Sequence, residues 1–505
     1  MKFNYFNKQK KVISNYEGAK AFTLNPEMEL YTAVVTTGLN EVTYEKNTDR
    51  LVRIQKLIAK CNPEFTAKLA IYVRNQMYMR SIPMVLTVEL AKQANGNSIV
   101  KNTVQGVVKR ADEITELLAY YQMANARTET KKLNRLSKQI QKGLAATFNS
   151  FDEYQFAKYN RNGEVKLRDA LFLVHPKAKD ESQQAIFNKI AANTLTIPYT
   201  WETELSDVGQ YKYENEAAKK EAIKQKWEDL IDSNRMGYMA TMRNLRNIVE
   251  AEVSFTHIEK VCNYLSNEKA VANAKQLPFR FLAAYREIKM LKSRYTTMIL
   301  EALEDAVMQS AQNIKGFDGN TSVVIACDVS GSMQKAISPK SKIQLYDIGL
   351  MLGMLMQSRC KNVISGMFGN TWKIINMSNR NVLANVQEFY KREGEVGYAT
   401  NGYLVIEDLI KRKEIVDKVM LFTDVQLWNS NHTNHTFENS WNLYKQIAPK
   451  AKLYLFDLAG YGQMPLDIKR NDVYLIAGWS DKIFDVLEAL ENGDSTLTKI
   501  KQITL

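Results

Sequence analysis

The 505-residue chain is 45% hydrophobic and 24% charged, an ordinary composition with enough apolar sequence for two or three domains. No apolar run reaches the roughly 18 residues that a membrane-spanning helix needs, and the start, MKFNYFNKQKKV, lacks the apolar core of a secretory signal. The net charge of +13 is uneven: residues 320–505 hold 21 Lys/Arg against 19 Asp/Glu, leaving 47 against 36 in the first 319, and such an excess points to a polyanionic partner of the N-terminal part.

Residues 1 to about 315 read as helix after helix. NTDRLVRIQKLIAKCNPEFTAKLAIYVRNQ places apolar residues three and four apart, with a break at Asn62-Pro63. IPMVLTVELAKQ, SIVKNTVQGVVKRADEITELLAYYQ, LNRLSKQIQKGLAATFNSF, LPFRFLAAYREIKML and TTMILEALEDAVMQSAQNI continue the pattern. The charged stretch from Ser206 to Asp232 is expected to form one exposed helix. Pro and Gly are sparse, and successive helices joined by short loops predict an α-solenoid of HEAT-like pairs, although no clean repeat period is visible.

The character changes at Gly316-Phe317-Asp318-Gly319-Asn320, a turn cluster that reads as a boundary. The expected domains are therefore 1–318, helical, and 319–505. In the second, TSVVIACDVS, NVISGMFG, KVMLFTD, KLYLFDL and VYLIAGW read as strands, and KIQLYDIGLMLGMLMQS, NVLANVQEFYKR and NGYLVIEDLIKRK as helices. Apolar strands alternating with helices predict an α/β doubly wound parallel sheet, whose ligands bind at the carboxyl ends of the strands.

The four cysteines, Cys61, Cys262, Cys327 and Cys360, form no CxxC pair, so reduced structural thiols in a cytoplasmic protein are expected. His432 and His435 are close in sequence but lack neighbours to complete a zinc ligand set. No P-loop, GxSxG or HExxH occurs.

Asp328-Val-Ser330-Gly-Ser332 stands at the end of the first strand. Thr400, before a helix, and Asp424, ending VMLFTD, are placed to join it. Two carboxylates and three hydroxyls are hard oxygen donors suited to a divalent cation, Mg²⁺ above all. Because so few are carboxylates, the ion stays electrophilic and can accept an acidic ligand from a partner. A lone DxSGS would more simply cap a helix; here a loop threonine and a strand-end TD follow in order. The set is too poor in carboxylates for two-metal hydrolysis, so a metal-dependent nuclease is a weak alternative.

This order of donors resembles the metal-ion-dependent adhesion site of von Willebrand factor A domains, although Tyr398 and Ala399 replace two usual glycines and Asn401 a frequent aspartate. With the helical region, the whole chain resembles the Ro autoantigen family, the TROVE-module proteins. RSIPMVLTVELAK (80–92), KYNRNGEVKLRDALFLVHPK (158–177), GYMATMRNLRNI (237–248), LPFRFLAAY (277–285), EALEDAVMQSAQNI (301–314), VVIACDVSGSM and VMLFTDVQLW follow in family order.

The resemblance implies a HEAT-like ring closed by the A domain and no enzymatic activity. Small structured Y-like RNAs would bind the outer surface, and single-stranded 3′ ends of misfolded RNAs the central hole. It implies a role in RNA quality control or ribonucleoprotein scaffolding, exoribonucleases as further partners, and a monomer off the membrane. The segment from Lys158 to His175 matches the family's RNA-contacting surface, with Arg161 matching only after a one-residue shift. Lys166, Arg168 and Lys177 supply further phosphate donors there, and Lys138 and Lys142 on the preceding helix extend the set. His175 could equally be a core histidine. The alternative function is a metal-dependent protein-interaction module with the helical part as scaffold.

Overall fold

The computed structural model describes residues 12–37, 45–94, 97–125, 136–312, 314–337, 341–428, 436–493 and 495–505; His432 and His435 lie outside the described residues. The chain forms two compact units, Met1–Leu57 with Ala311–Leu497, and Ile58–Ser310 with Thr498–Leu505.

The first segment departs from the all-helical expectation for 1–318. β1 (Val12–Ser14) and β2 (Lys20–Thr23) form an antiparallel hairpin. β2 also pairs with a two-residue strand, Gln463–Met464, more than 400 residues away. α1 (Pro26–Val35) starts where Asn25 accepts from the Met28 amide and Pro26 occupies the first turn. Its Tyr31 hydroxyl donates to Ala477 O at 3.1 Å. α2 (Asn47–Ile58) carries Arg50, whose side chain is buried with Glu45. Strands of three and four residues are too short to display alternation, and their partner lies at the other end of the chain.

In the second unit the helices follow expectation more closely. α3 (Pro63–Asn75) begins at the anticipated break, where Asn62 accepts from the Glu64 amide. α4 (Ser81–Gln93), α5 (Ile99–Val107), α6 (Ala111–Ala124), α7 (Lys138–Phe148), α8 (Glu153–Tyr159), α9 (Leu167–Val174) and α10 (Glu181–Ala192) follow. α3 packs on α4 and α5, and α5 on α7. The break between α5 and α6 is held by Glu113. This fully buried carboxylate accepts from the Lys109 and Arg110 amides and from Arg74 Nη2 at 2.8 Å.

The charged stretch around Ser206–Asp232 is two helices, α11 (Trp201–Gln210) and α12 (Glu216–Asp232). One face of α12 is buried: Trp227 stacks on Trp201 and lies beside buried Leu230 and Ile231. α13 (Tyr238–Arg243), α14 (Leu245–Glu250), α15 (Phe255–Leu265), α16 (Glu268–Ala274), α17 (Pro278–Lys289) and α18 (Thr296–Ser310) complete the run. Regrouping the chain by units leaves 39 Lys/Arg against 29 Asp/Glu in Ile58–Ser310 with Thr498–Leu505, so the helical unit keeps most of the basic excess.

The other unit holds a six-stranded sheet. Its strands are β3 (Ser322–Asp328), β4 (Asn362–Phe368), β5 (Trp372–Ile374), β6 (Lys418–Thr423), β7 (Lys452–Asp457) and β9 (Val473–Ala477), with β8 (Gln463–Met464) in the hairpin sheet. The order is β5-β4-β3-β6-β7-β9, parallel except for the antiparallel edge strand β5. Both faces are covered, as continuous apolar strands require. Ile325 and Cys327 face Gly353 of α19 (Leu345–Arg359). Val324 and Ala326 face the core that includes α21 (Tyr403–Arg412) and α22 (Phe437–Ile447). α20 (Val382–Arg392) precedes these two, and α23 (Ile483–Glu491) and α24 (Thr496–Lys501) follow. All four cysteines are buried and form no disulfide among the described residues. Among the described residues no helix is long and apolar enough to cross a membrane.

The turn cluster at Gly316 is a close approach. A Cβ there would lie 1.7 Å from the Arg359 carbonyl oxygen. Gly316→Ala is expected to destabilise this unit by about 1–3 kcal/mol through forced backbone displacement, read as an earlier urea midpoint with an unchanged slope. An unchanged midpoint would show that the backbone yields at no cost.

Candidate functional site

The five oxygen-bearing residues singled out in the second domain converge. β3 and β6 are adjacent and parallel, and β3 is the strand from which the chain order diverges to either side. Side chains at their carboxyl ends therefore meet in the crevice of the sheet. Asp328 ends β3, Ser330 and Ser332 follow in a 3₁₀ turn, Asp424 follows β6, and Thr400 lies just ahead of α21. Each is 6% exposed or less.

Asp328 Oδ1 accepts from the Ser330 amide at 2.9 Å, and Oδ2 from Thr423 Oγ1 at 2.6 Å. Ser330 and Ser332 hydroxyls lie 3.1 Å apart. Asp424 Oδ1 accepts from the Gln426 amide at 3.0 Å. Between them, Val425 is held at φ +64°. A β-branched residue in the left-handed region is strained by roughly 1–3 kcal/mol, so the backbone that aims Asp424 is fixed against its preference.

The non-glycine residues ahead of Thr400 do not displace it. The Tyr398 carbonyl accepts from the Gly331 amide at 3.0 Å, and the Ala399 amide donates to Asn370 Oδ1 at 2.9 Å. Asn401 donates through Nδ2 to Asn370 O at 3.2 Å and through its amide to Gly369 O. The loop is thus pinned to the end of β4, an attachment with no signal in the local sequence.

The electrostatics of this crevice are unbalanced. Burial pushes the pKa of both Asp328 and Asp424 upward, and the charge of Asp328 pushes Asp424 further. Thr400 Oγ1 and Asp424 Oδ2 are buried with no hydrogen-bond partner. Orphaned hard donors of this kind cost free energy, and a small divalent cation among them would satisfy both and neutralise the carboxylates. The donor set fits such an ion. Among the described residues no group of three or more His, Cys, Asp or Glu forms a metal cluster, so any site here relies on hydroxyls beside two carboxylates.

The eight basic residues singled out in the helical unit are all exposed. That resolves His175: it is the C-cap of α9, at φ +49°, with its amide on Leu171 O, not a core histidine. Lys138 reaches Gln141 Oε1 at 3.3 Å, and Gln141 Nε2 donates to the Leu173 and Val174 carbonyls beside His175. Lys142 lies one turn further along α7. The Lys177 carbonyl accepts from Asn149, the C-cap of α7, at 2.9 Å. Arg168 and His175 share one face of α9, whereas Lys166 stands at its opposite end, about 13 Å from His175 by helical rise.

Lys158 and Arg161 line a separate feature, a cleft of about 600 Å³ between α8, α11 and α13. Aromatic rings interleave with its cations. Arg110 lies 4.1 Å from the Tyr159 ring centroid, Lys158 5.5 Å from Tyr154, and Arg235 5.3 Å from Tyr199. On α9, Arg168 lies 5.7 Å from the Phe172 ring, and Phe172 is half exposed. Sequence reading missed Phe172, Arg110, Tyr199 and Arg235. For Phe172 a signal existed: Arg168, Phe172 and His175 fall at i, i+4, i+7, a helical face. The cleft residues come from distant segments and carried none.

The family model for the TROVE domain matches residues 13–226 and 193–327. Telomerase protein component 1 of Mus musculus is 23% identical over 322 residues, covering 48% of this chain but 12% of that protein. Its Rattus norvegicus counterpart is 24% identical over 315 residues, covering 47% and 12%. The chain thus spans a small part of these relatives. The crystal structure of the Deinococcus radiodurans RO (RSR) protein superposes with a TM-score of 0.59 at 16% identity, covering 93% of this chain and all of the other. At that identity the likeness is one of fold.

Proposed function

The chain belongs to the TROVE-domain family, and on that premise we propose that it is a non-catalytic RNA-binding protein whose helical unit carries the RNA-contacting surface. One observation carries this reading: a unit with 39 basic against 29 acidic side chains presents exposed cations around α7 to α9, interleaved with accessible aromatic rings. Cations position phosphates, and rings and guanidinium planes stack unpaired bases. Small structured, Y-like RNAs and single-stranded 3′ ends of misfolded RNAs are the proposed ligands. RNA quality control or ribonucleoprotein scaffolding in the cytoplasm is the proposed setting, with exoribonucleases as partners. The helical unit is read as HEAT-like repeats, supported by the packing of successive helices on one another. Filter binding of the purified chain across a salt series tests the central point. Tight binding that weakens linearly in log–log form is expected; binding indifferent to salt would overturn it.

A second reading applies to the other unit. The orphaned Thr400 and Asp424 oxygens favour a Mg²⁺-dependent protein-interaction site of von Willebrand factor A type at Asp328, Ser330, Ser332, Thr400 and Asp424. When bound, the ion would supply a Lewis-acidic position for a partner's carboxylate. Mg²⁺ at a hundred times its dissociation constant is expected to stabilise the folded protein by about 2.7 kcal/mol. The rise in melting temperature should vanish in Asp328→Ala. An equal rise in the variant would place the ion elsewhere.

A further inference from the structure

The cleft between α8, α11 and α13 differs in chemistry from the exposed face of α9. Four cations, Arg110, Lys158, Arg161 and Arg235, line it with a single carboxylate, Glu202. Arg110 pairs with Asp112, its Nη2 2.7 Å from Oδ2. Among the described residues Lys158, Arg161 and Arg235 make no ion pair. Two of these three lie beside rings instead, Lys158 5.5 Å from the Tyr154 centroid and Arg235 5.3 Å from that of Tyr199. Uncompensated positive charge in a concave, partly desolvated site attracts phosphate, and rings and guanidinium planes beside it accept the face of a base. The walls are fixed before any ligand arrives. Glu153 of α8 accepts from the Thr196 hydroxyl at 2.8 Å and the Thr196 amide at 3.1 Å, which ties the loop ahead of α11 to α8. Thr203 Oγ1 donates to Pro198 O at 2.8 Å, and Thr200 Oγ1 accepts from the Thr203 amide at 3.2 Å. Tyr199 therefore stands between two anchored neighbours, and little ordering remains to oppose binding.

A volume of about 600 Å³ is that of a small-molecule site; it admits one nucleotide and excludes a double helix. Bases inside a duplex keep both faces stacked, so only an unpaired base can lay a face on a side-chain ring. A bare anion would leave the tyrosines without a role, and an apolar ligand would leave three cations without a partner. We propose that the cleft is a nucleotide pocket that takes one unpaired nucleotide of a bound RNA, its base among Tyr154, Tyr159 and Tyr199 and its phosphate on Lys158, Arg161 and Arg235. The proposal rests on the RNA-binding reading above. It makes the cleft a second site, separable from the Arg168–Phe172 face of α9. The same chemistry fits a free nucleotide, and the two sources are told apart by competition.

The test is calorimetric titration of the full-length protein with adenosine 5′-monophosphate, followed by competition with a short oligoadenylate. One mononucleotide is expected per chain, with adenosine bound on the order of tenfold more weakly because its phosphate contacts are gone. Tyr199→Ala should weaken binding on the order of tenfold, whereas Tyr199→Phe, which keeps the ring, should bind as wild type does. Arg235→Ala, at an exposed position, should also weaken it without loss of helicity. Lys138→Ala and Phe172→Ala, outside the cleft, should leave it unchanged, and the oligoadenylate should displace the mononucleotide. No mononucleotide binding, with longer RNA still held at the expected salt slope, would overturn the pocket and leave the RNA reading standing. An oligoadenylate that fails to compete would overturn the assignment to RNA in favour of a free nucleotide. Competition by O-phosphotyrosine as effective as that by the nucleotide would overturn it in favour of a phosphopeptide. Failure of wild type to bind either nucleotide or RNA would overturn both readings.

Discussion

Arg50→Ala is expected to lower the stability of the sheet-bearing unit by about 3–5 kcal/mol, with a fall in melting temperature of roughly 10 °C. The Arg50 guanidinium is 1% exposed. It donates to Glu45 Oε2 at 2.6 Å and to Ala459 O at 2.5 Å, and it lies 5.8 Å from the Tyr461 ring. Burial pushes its pKa down, and Glu45 opposes the shift. Truncation leaves a void, strands a buried carbonyl and removes one of two cations from a nearly buried carboxylate. Arg53, whose Nε reaches Glu45 Oε1 at 2.7 Å, still pairs with Glu45, which keeps the loss from being larger. Arg50→Met, which fills most of the volume, should cost less. Urea unfolding followed by tryptophan fluorescence measures both. A loss under about 1 kcal/mol for alanine would mean that this network is incidental to the attachment of the N-terminal segment.

The second large effect concerns RNA. Replacing Lys138, Lys158, Arg161 and Arg168 together by alanine should lower the slope of log affinity against log salt by about three to four, roughly one for each phosphate no longer neutralised. At physiological salt the affinity should fall roughly a hundredfold or more. All four side chains are exposed, so helicity should be unchanged by circular dichroism. Phe172→Ala should act differently. Loss of a stacked base costs about 1–3 kcal/mol, with the salt slope intact and the effect confined to single-stranded RNA. A quadruple variant that binds with wild-type slope would move the RNA surface away from α7–α9. Equal losses on duplex and single strand for Phe172→Ala would remove its stacking role.

Local signals were legible in the chain. Asn62-Pro63 begins a helix as read, because an asparagine cap and a proline in the first turn act within a few residues. The apolar strands KVMLFTD and KLYLFDL form the sheet interior, since continuous burial leaves a continuous pattern. Edge strand β5 and the polar helix α22, FENSWNLYKQI, were missed. One is three residues long, and the other buries its face through Phe437, Trp441 and Tyr444 amid polar neighbours.

By itself the sequence determined the helical and α/β halves, the order of the five oxygen donors and the basic excess of the helical part. These are properties of short segments or of composition, and they survive ignorance of distant contacts. Tertiary structure alone decided that residues 12–37 and 45–57 join the sheet-bearing unit. It also decided that Arg110, Tyr159, Tyr199 and Arg235 line one cleft with Lys158. Each depends on pairing between segments tens to hundreds of residues apart. Such pairing is selected by burial and hydrogen-bond satisfaction over the whole chain, and no local pattern encodes it.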